Sequence, residues 1–200
     1  MKRLFDIIFS IVAIVILALP MAVIAIIILA TDGRPVVFRQ ERVGLGNKTF
    51  RIRKFRSMKV GTKNVATKDL KNSDDCITPI GKVLRKTSLD ELPQLINILE
   101  GTMSFVGPRP LIPQEEHIRK MRAEKNVYSV RPGVTGLAQV NGRDLVTEEQ
   151  KVNWDAEYVQ NRSMLLDIKI MFKTVAVVLL GKGFAEGGDL NKQEEKSKLN

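Results

Sequence analysis

Apolar and polar positions alternate in three distinct ways along this chain. From Ile11 to Ala30, twenty consecutive residues carry neither a charge nor a polar side chain. A helix of that length spans about 30 Å, the hydrocarbon thickness of a bilayer, and it has no face suited to water. The run also exceeds the roughly 7–15 apolar residues of a signal-peptide core. Residues 1–31 are therefore expected to insert into a membrane. Pro20 removes a backbone donor and clashes with the carbonyl of Ile16, which predicts a break in the helix. Basic residues flank the run on both sides, Lys2 and Arg3 before it and a dense cluster after it. The positive-inside tendency keeps both flanks on one side only if the segment turns back. A re-entrant hairpin and a spanning helix both remain open.

Beyond the run the pattern changes. Residues 36–59 read as strands around a turn at Gly44, Gly46 and Asn47, with Phe50 and Ile52 alternating with Arg51 and Arg53. Residues 60–76 are polar and read as an exposed loop or irregular helix. Helical patterns follow at 80–86, at 89–99 with Gly101 as its stop, at 115–125 and at 148–160. The stretch 131–143 is rich in turn residues. Residues 163–180 set Asp167, Lys169 and Lys173 among apolar side chains, which predicts an amphipathic helix lying in a bilayer interface in preference to a core helix. The polar tail at 185–200 predicts disorder. The expected fold is α+β: a mostly helical, membrane-associated domain at 32–184 with a small β element, carried by the inserted segment.

Charge sharpens this picture. The net charge is +10, and residues 31–60 hold nine basic side chains against Asp32 and Glu41. Such a balance favours polyanionic partners: anionic lipid, nucleic acid or phosphorylated substrates. One cysteine, Cys76, allows no internal disulfide, and one histidine, His117, lies in a charged stretch that reads as helix surface. If the chain is an enzyme, carboxylates carry its chemistry.

The candidate carboxylates are adjacent, Asp90 and Glu91, and a Gly-Pro-Arg-Pro turn follows at 107–110. Ser88 to Glu91 fits a helix capping box, and acidic residues suit the positive end of a helix dipole. A nucleophile or metal ligand fits the same pair, and the two readings are compatible, because a phosphate also settles at a helix N-terminus. An aspartate ionised at neutral pH needs no histidine base, and a divalent ion such as Mg²⁺ would offset its repulsion from a diphosphate. Arg85, Lys54 and Arg56 read either as phosphate grips or as solvated charge. Arg109, locked between Pro108 and Pro110, is harder to assign to solvent. Arg131 and Arg143 bracket a glycine-rich stretch that could line an anion site.

The segments KFRSM (54–58), SLDELPQL (88–95), FVGPRPL (105–111), VRPGVTGLAQVNGR (130–143) and LLDIKIMF (165–172) together resemble the bacterial sugar transferases, also called monotopic phosphoglycosyl transferases. The resemblance runs from the apolar segment to about Leu180, and the length is similar to that of the minimal members. It implies an enzyme on the cytoplasmic face of the bacterial inner membrane. Such an enzyme moves a sugar 1-phosphate from a UDP-sugar to polyprenyl phosphate, with Mg²⁺ as cofactor and release of UMP. In that scheme Asp90 is the nucleophile of a ping-pong reaction and Glu91 its companion, assisting metal binding or proton handling. Pro108, Arg109 and Pro110 form the nucleotide-binding element, and Arg85, Lys54 and Arg56 hold phosphates. One departure stands out: family members commonly carry Ser-Pro in the membrane segment, whereas this chain has Leu19-Pro20, which keeps the proline break without the hydroxyl, and re-entry remains the expected topology.

Two other functions compete. A membrane-anchored basic domain could bind nucleic acid or anionic lipid through residues 34–59, but that leaves the acidic pair and the proline turn without a role, so we expect no nucleic-acid partner. A scaffold without turnover is the other. The residues leave the choice of UDP-sugar and the oligomeric state, a homodimer included, open.

Overall fold

The computed structural model describes residues 1–62, 73–142 and 147–179. The predicted tail at 185–200, most of the loop at 60–76 and Arg143 lie outside the described residues. Helix α1 (Lys2–Asp32) is followed by the hairpin β1 (Val37–Val43) and β2 (Thr49–Phe55), then α2 (Ser73–Cys76) and α3 (Pro79–Thr87). A 3-10 turn at Leu89–Glu91 leads into α4 (Gln94–Glu100) and β3 (Ser104–Val106). Then come α5 (Glu116–Glu124), β4 (Gly133–Thr135), α6 (Leu137–Asn141), α7 (Glu148–Asn161) and α8 (Met164–Leu179). The expected α+β class and its small β element hold, but the sheet content among the described residues is two separate pairs: antiparallel β1–β2 and parallel β3–β4.

Helix α1 is long and apolar enough to cross a membrane, yet one of its faces lies along the rest of the protein from end to end. Its first turn is tied down by polar contacts. Arg3 donates from Nη1 to the Ile98 carbonyl (2.5 Å), which also accepts from the Gly101 amide, and from Nη2 to the Leu99 carbonyl (2.8 Å), both in the last turn of α4. Buried Asp6 accepts from the Ser104 hydroxyl at 3.0 Å and the Phe105 amide at 3.3 Å. Lys2 pairs with Asp167 at 2.5 Å. The Tyr158 hydroxyl shares its proton between the other oxygen of Asp167 (2.8 Å) and the Val106 carbonyl (3.1 Å). Further along, Ala13, Ile14 and Leu17 pack on Ile52, Leu95, Ile98 and Met103. Near the far end, Ile24 and Ile28 pack on Phe55 and Leu84.

The opposite face of α1 is bare, with Val12, Val15, Ile16, Leu19, Val23 and Ile26 exposed. The helix runs through Pro20 without interruption, where the sequence predicted a break. A proline costs its helix one donor and one contact, and any change of direction there is a bend inside one helix. Helix α8 divides its faces in the same way. Asp167 and Ile170 are buried, whereas Leu165, Phe172 and Val175, one stripe along the helix, are exposed.

Glycines set the approach of β3 to β4. A Cβ on Gly133 would lie 2.1 Å from the Gly107 nitrogen and 2.4 Å from the Thr135 carbonyl oxygen, both main-chain atoms that cannot swing aside. One on Gly136 would meet the Gly107 carbonyl oxygen at 2.2 Å. The described part of the turn-rich stretch, 131–142, is thus a strand and a short helix pressed backbone to backbone against residues 104–108. We predict that Gly133→Ala destabilises the protein by about 3 kcal/mol or more, read as a loss of thermal stability in detergent. A wild-type melting temperature in that variant would contradict the packing described.

Candidate active site

Three segments far apart in sequence bring their charges together beside β2. Helix α3 ends at Ser88, which is left-handed (φ 58°, ψ 17°) and donates its amide to the Arg85 and Leu84 carbonyls. The Ser88 side chain makes no cap hydrogen bond, and α4 begins only after Pro93. The capping box expected at Ser88–Glu91 is therefore not formed. The left-handed residue turns the chain instead, and the 3-10 turn delivers Asp90 and Glu91 toward the hairpin.

Lys54, near the end of β2, meets both carboxylates. Its Nζ lies 2.5 Å from Glu91 Oε1 and 3.8 Å from Asp90 Oδ2. Arg109 approaches the same Glu91 oxygen with Nη1 at 3.4 Å, while its side chain stays 52% exposed. Arg85 adds a further positive field at Asp90.

The two carboxyls are driven apart in acidity. Burial alone would raise Glu91, but Lys54 and Arg109 together hold it down to about 2. For Asp90 burial wins: it lifts the carboxyl above its usual 3.8, the neighbouring Glu91 charge adds to the rise, and Lys54, Arg85 and Arg109 only partly oppose it. Environments that separate two adjacent acids in this way are characteristic of acid–base and nucleophilic sites.

Arg42 of β1 belongs to the same cluster, although the sequence reading left it within the general basic run. Burial pushes its guanidinium down to about 10, with Arg109 adding to the effect and Glu115 and Glu91 opposing it. It donates from Nη2 to Gln40 Oε1 (2.5 Å) and from Nη1 to the Pro110 carbonyl (3.2 Å). No spacing rule links Arg42 to Pro110. Only the antiparallel bridge of Val43 to Leu111 brings the turn alongside β1. Four cations (Lys54, Arg85, Arg109, Arg42) thus surround Asp90 and Glu91, with Glu115 beside Arg42. Such a surplus of positive charge around two carboxylates suits a polyanionic substrate.

The other predicted residues fall elsewhere. Pro108 and Pro110 are buried and shape the turn that presents Arg109. The guanidinium of Arg56 is buried and donates from Nη2 to the Gly33 carbonyl (2.9 Å) at the end of α1. Arg131 donates from Nε to the Gly101 carbonyl (2.7 Å), closing the end of α4. An open cavity of about 320 Å³ beside β1, lined by Arg39, Glu41, Arg51 and Gln114, touches the cluster only through Gln40.

No group of three or more His, Cys, Asp or Glu side chains able to hold a metal occurs among the described residues. The donors at hand, Asp90 and Glu91, are hard oxygen ligands. They fit Mg²⁺ in its usual phosphate-site mode, in which one or two carboxylates act together with substrate phosphates and water.

Comparison with known proteins shows the family. The chain is 41% identical to the UDP-galactose-lipid carrier transferase of Erwinia amylovora, over 92% of this chain and 41% of that protein. It is 38% identical to the exopolysaccharide production protein ExoY of Sinorhizobium fredii, over 91% of this chain and 87% of that one. It is likewise 38% identical to the UDP-glucose:undecaprenyl-phosphate glucose-1-phosphate transferase of Escherichia coli, over 88% of this chain and 39% of that protein. The chain therefore spans about two fifths of the length of the first and third of these relatives. The family profile described as bacterial sugar transferase matches residues 1–181, which take in the apolar helix, the carboxylate pair and the proline turn, and the chain belongs to that family.

Proposed function

We propose that this protein is a phosphoglycosyl transferase that moves a sugar 1-phosphate from a UDP-sugar to polyprenyl phosphate. The observation that carries the reading is the Asp90–Glu91 pair, Asp90 buried and Glu91 partly so, held between Lys54 and Arg109 inside a surplus of cations. The activities for which the Erwinia and Escherichia relatives are named support it.

In the first step, a carboxylate oxygen of Asp90 attacks the phosphorus that bears the sugar. The bond from that phosphorus to the oxygen shared with the nucleoside phosphate breaks, and UMP leaves with that oxygen. In the second step, an oxygen of the polyprenyl phosphate attacks the same phosphorus, the aspartyl–phosphorus bond breaks, and the polyprenyl diphosphosugar departs. Arg109, on its rigid turn and half in solvent, grips the UDP phosphates, and Lys54 neutralises charge that builds up beside Asp90. Glu91 stays ionised and orients Lys54 and Arg109. Glu91, with Asp90 beside it, is the residue that would hold Mg²⁺, which when bound offsets the charge of the diphosphate.

The acceptor is a lipid, so the reaction belongs at a bilayer surface. The bare face of α1 and the exposed Leu165, Phe172 and Val175 of α8 supply apolar surface for membrane contact. Both ends of α1 touch the same domain, which supports a re-entrant helix, and the basic residues on both of its flanks favour the cytoplasmic face for that domain. A membrane-anchored anion-binding protein without turnover is the weaker reading, because it gives the buried carboxylates no task.

The direct test is UMP release by the purified protein in nanodiscs with Mg²⁺, undecaprenyl phosphate and a panel of UDP-sugars. Lipid-dependent release with one donor is expected, and Asp90→Asn should lower it by about 10⁴-fold or more with folding intact. Undiminished release by that variant would contradict the assignment of the nucleophile.

A second prediction concerns pH. Asp90 must be ionised to attack, and its carboxyl is raised above 3.8. The acid limb of kcat/KM is therefore expected above the ordinary aspartate range. Lys54 lowers the Asp90 value, so Lys54→Met should move the limb to still higher pH, and a limb that stays in place or moves down would contradict this electrostatic account. Stability follows Glu91 with the opposite sign. Its depressed value of about 2 stabilises the fold above pH 4.5, and that contribution is lost as pH falls toward 2.

A further inference from the structure

The turn that carries Arg109 has an unusual way of being held. Pro108 and Pro110 have no N–H, so the turn offers its surroundings mainly carbonyl oxygens. Four consecutive carbonyls are each gripped. The Pro108 oxygen accepts from the Gly133 amide (3.0 Å) and the Leu111 oxygen from the Val43 amide (2.8 Å). The Pro110 oxygen accepts from Arg42 (3.2 Å). The fourth, that of Arg109 itself, accepts from Nη1 of Arg122 at 2.7 Å.

Arg122 comes from α5 and is the least exposed of these partners' charges. Its other terminal nitrogen, Nη2, lies 2.5 Å from Asp155 Oδ2 on α7, and the two side chains are 4% and 1% exposed. A buried ion pair is a poor source of stability, since desolvation of both charges consumes most of the attraction and an apolar pair of similar volume would serve as well. An apolar pair, however, could not donate a hydrogen bond. The guanidinium is a rigid planar fork: with one prong fixed on the carboxylate, the other has a set direction, and that direction ends on the Arg109 carbonyl.

We propose that the Arg122–Asp155 pair is a positioning element of the active site: it fixes the backbone of Arg109 through its carbonyl oxygen and thereby aims the Arg109 guanidinium at Glu91 and the substrate phosphates. The proposal rests on the transferase reading for its catalytic consequence, but not for its structural one. Neither Arg122 nor Asp155 touches the reacting atoms. Their effect on turnover passes entirely through Arg109, and this distinguishes positioning from general support of the fold.

The experiment is a double-mutant cycle with a second, activity-free readout. Asp155→Asn and Arg122→Lys are made in the wild-type background and in Arg109→Ala, with UMP release and hydrogen exchange of the segment from Phe105 to Ile112 followed in nanodiscs. Each conservative substitution should lower kcat/KM by about tenfold in the wild-type background, the scale of a small misplacement of a substrate grip. In the Arg109→Ala background each should change it less than about twofold, because coupled residues are not additive. Exchange in the 105–112 segment should rise about fivefold or more, while that of the β1–β2 hairpin stays at the wild-type level. Equal losses in both backgrounds, unchanged exchange in the segment, or a rise spread evenly over the protein would each overturn the proposal. If the wild-type protein releases no UMP, the transferase reading fails, and the exchange measurement alone decides whether the pair holds the turn.

Discussion

Two adjacent carboxylates taken out of water must be met by cations, and this requirement organises the protein. Asp90 is 7% exposed, and the Glu91 side chain 15%. Lys54, at 2.5 Å from Glu91 and 3.8 Å from Asp90, is the largest opposing charge on both, with Arg109 second at Glu91 and Arg85 second at Asp90. Lys54 reaches them because β2 is paired with β1, and because the polar side chain of buried Asn97 on α4 bonds to the main chain of β2 at Arg51 and Arg53. Arg109 reaches Glu91 because β3 and β4 approach so closely that only glycine fits between them. The site is thus assembled from a hairpin, a 3-10 turn and a proline turn, and the helices serve to hold those three in place.

Helix α1 joins this scheme through its first turn. Arg3 closes the end of α4, and Asp6 binds the start of β3, the strand that runs directly into the proline turn. Buried Ser10, Asp6 and Ser104 make this a polar anchor at one end of an otherwise apolar helix. Its remaining inward face continues the cores beneath the hairpin and α3. The same helix therefore supplies apolar surface on its outer side and support for the site on its inner side.

Much of this architecture is legible in the sequence, and the gaps have physical causes. Period-two alternation from Phe50 to Arg53 marks β2, and Gly101, left-handed at φ 83°, stops α4 as its position suggests. Helix α7 shows its start through Thr147 and Gln150, which form the capping box that Ser88 and Glu91 do not. The Ser88 spacing misleads because a capping pattern says nothing about nearby cations. Glu91 gains more from Lys54 and Arg109 than from its own helix end. The three-residue strands β3 and β4 are too short for periodicity, and their glycines read as turns. Arg42, Arg122 and Asp155 are invisible for another reason: their partners are defined by tertiary register, and a basic run or a charged helix gives no sign of which arginine turns inward. Arg131 is the converse case, a motif arginine whose position in sequence suggests ligand chemistry and whose Nε closes a helix.

The central claim is that Asp90 forms and breaks a bond to phosphorus. The most direct measurement is a single-turnover experiment with UDP-sugar and no lipid acceptor, followed by mass spectrometry of the peptide containing residues 89–91. The account predicts a burst of UMP approaching one equivalent per protein and a phosphosugar mass on Asp90 that disappears when polyprenyl phosphate is added. UMP released only when acceptor is present, or a label carried by Glu91 instead, would contradict it.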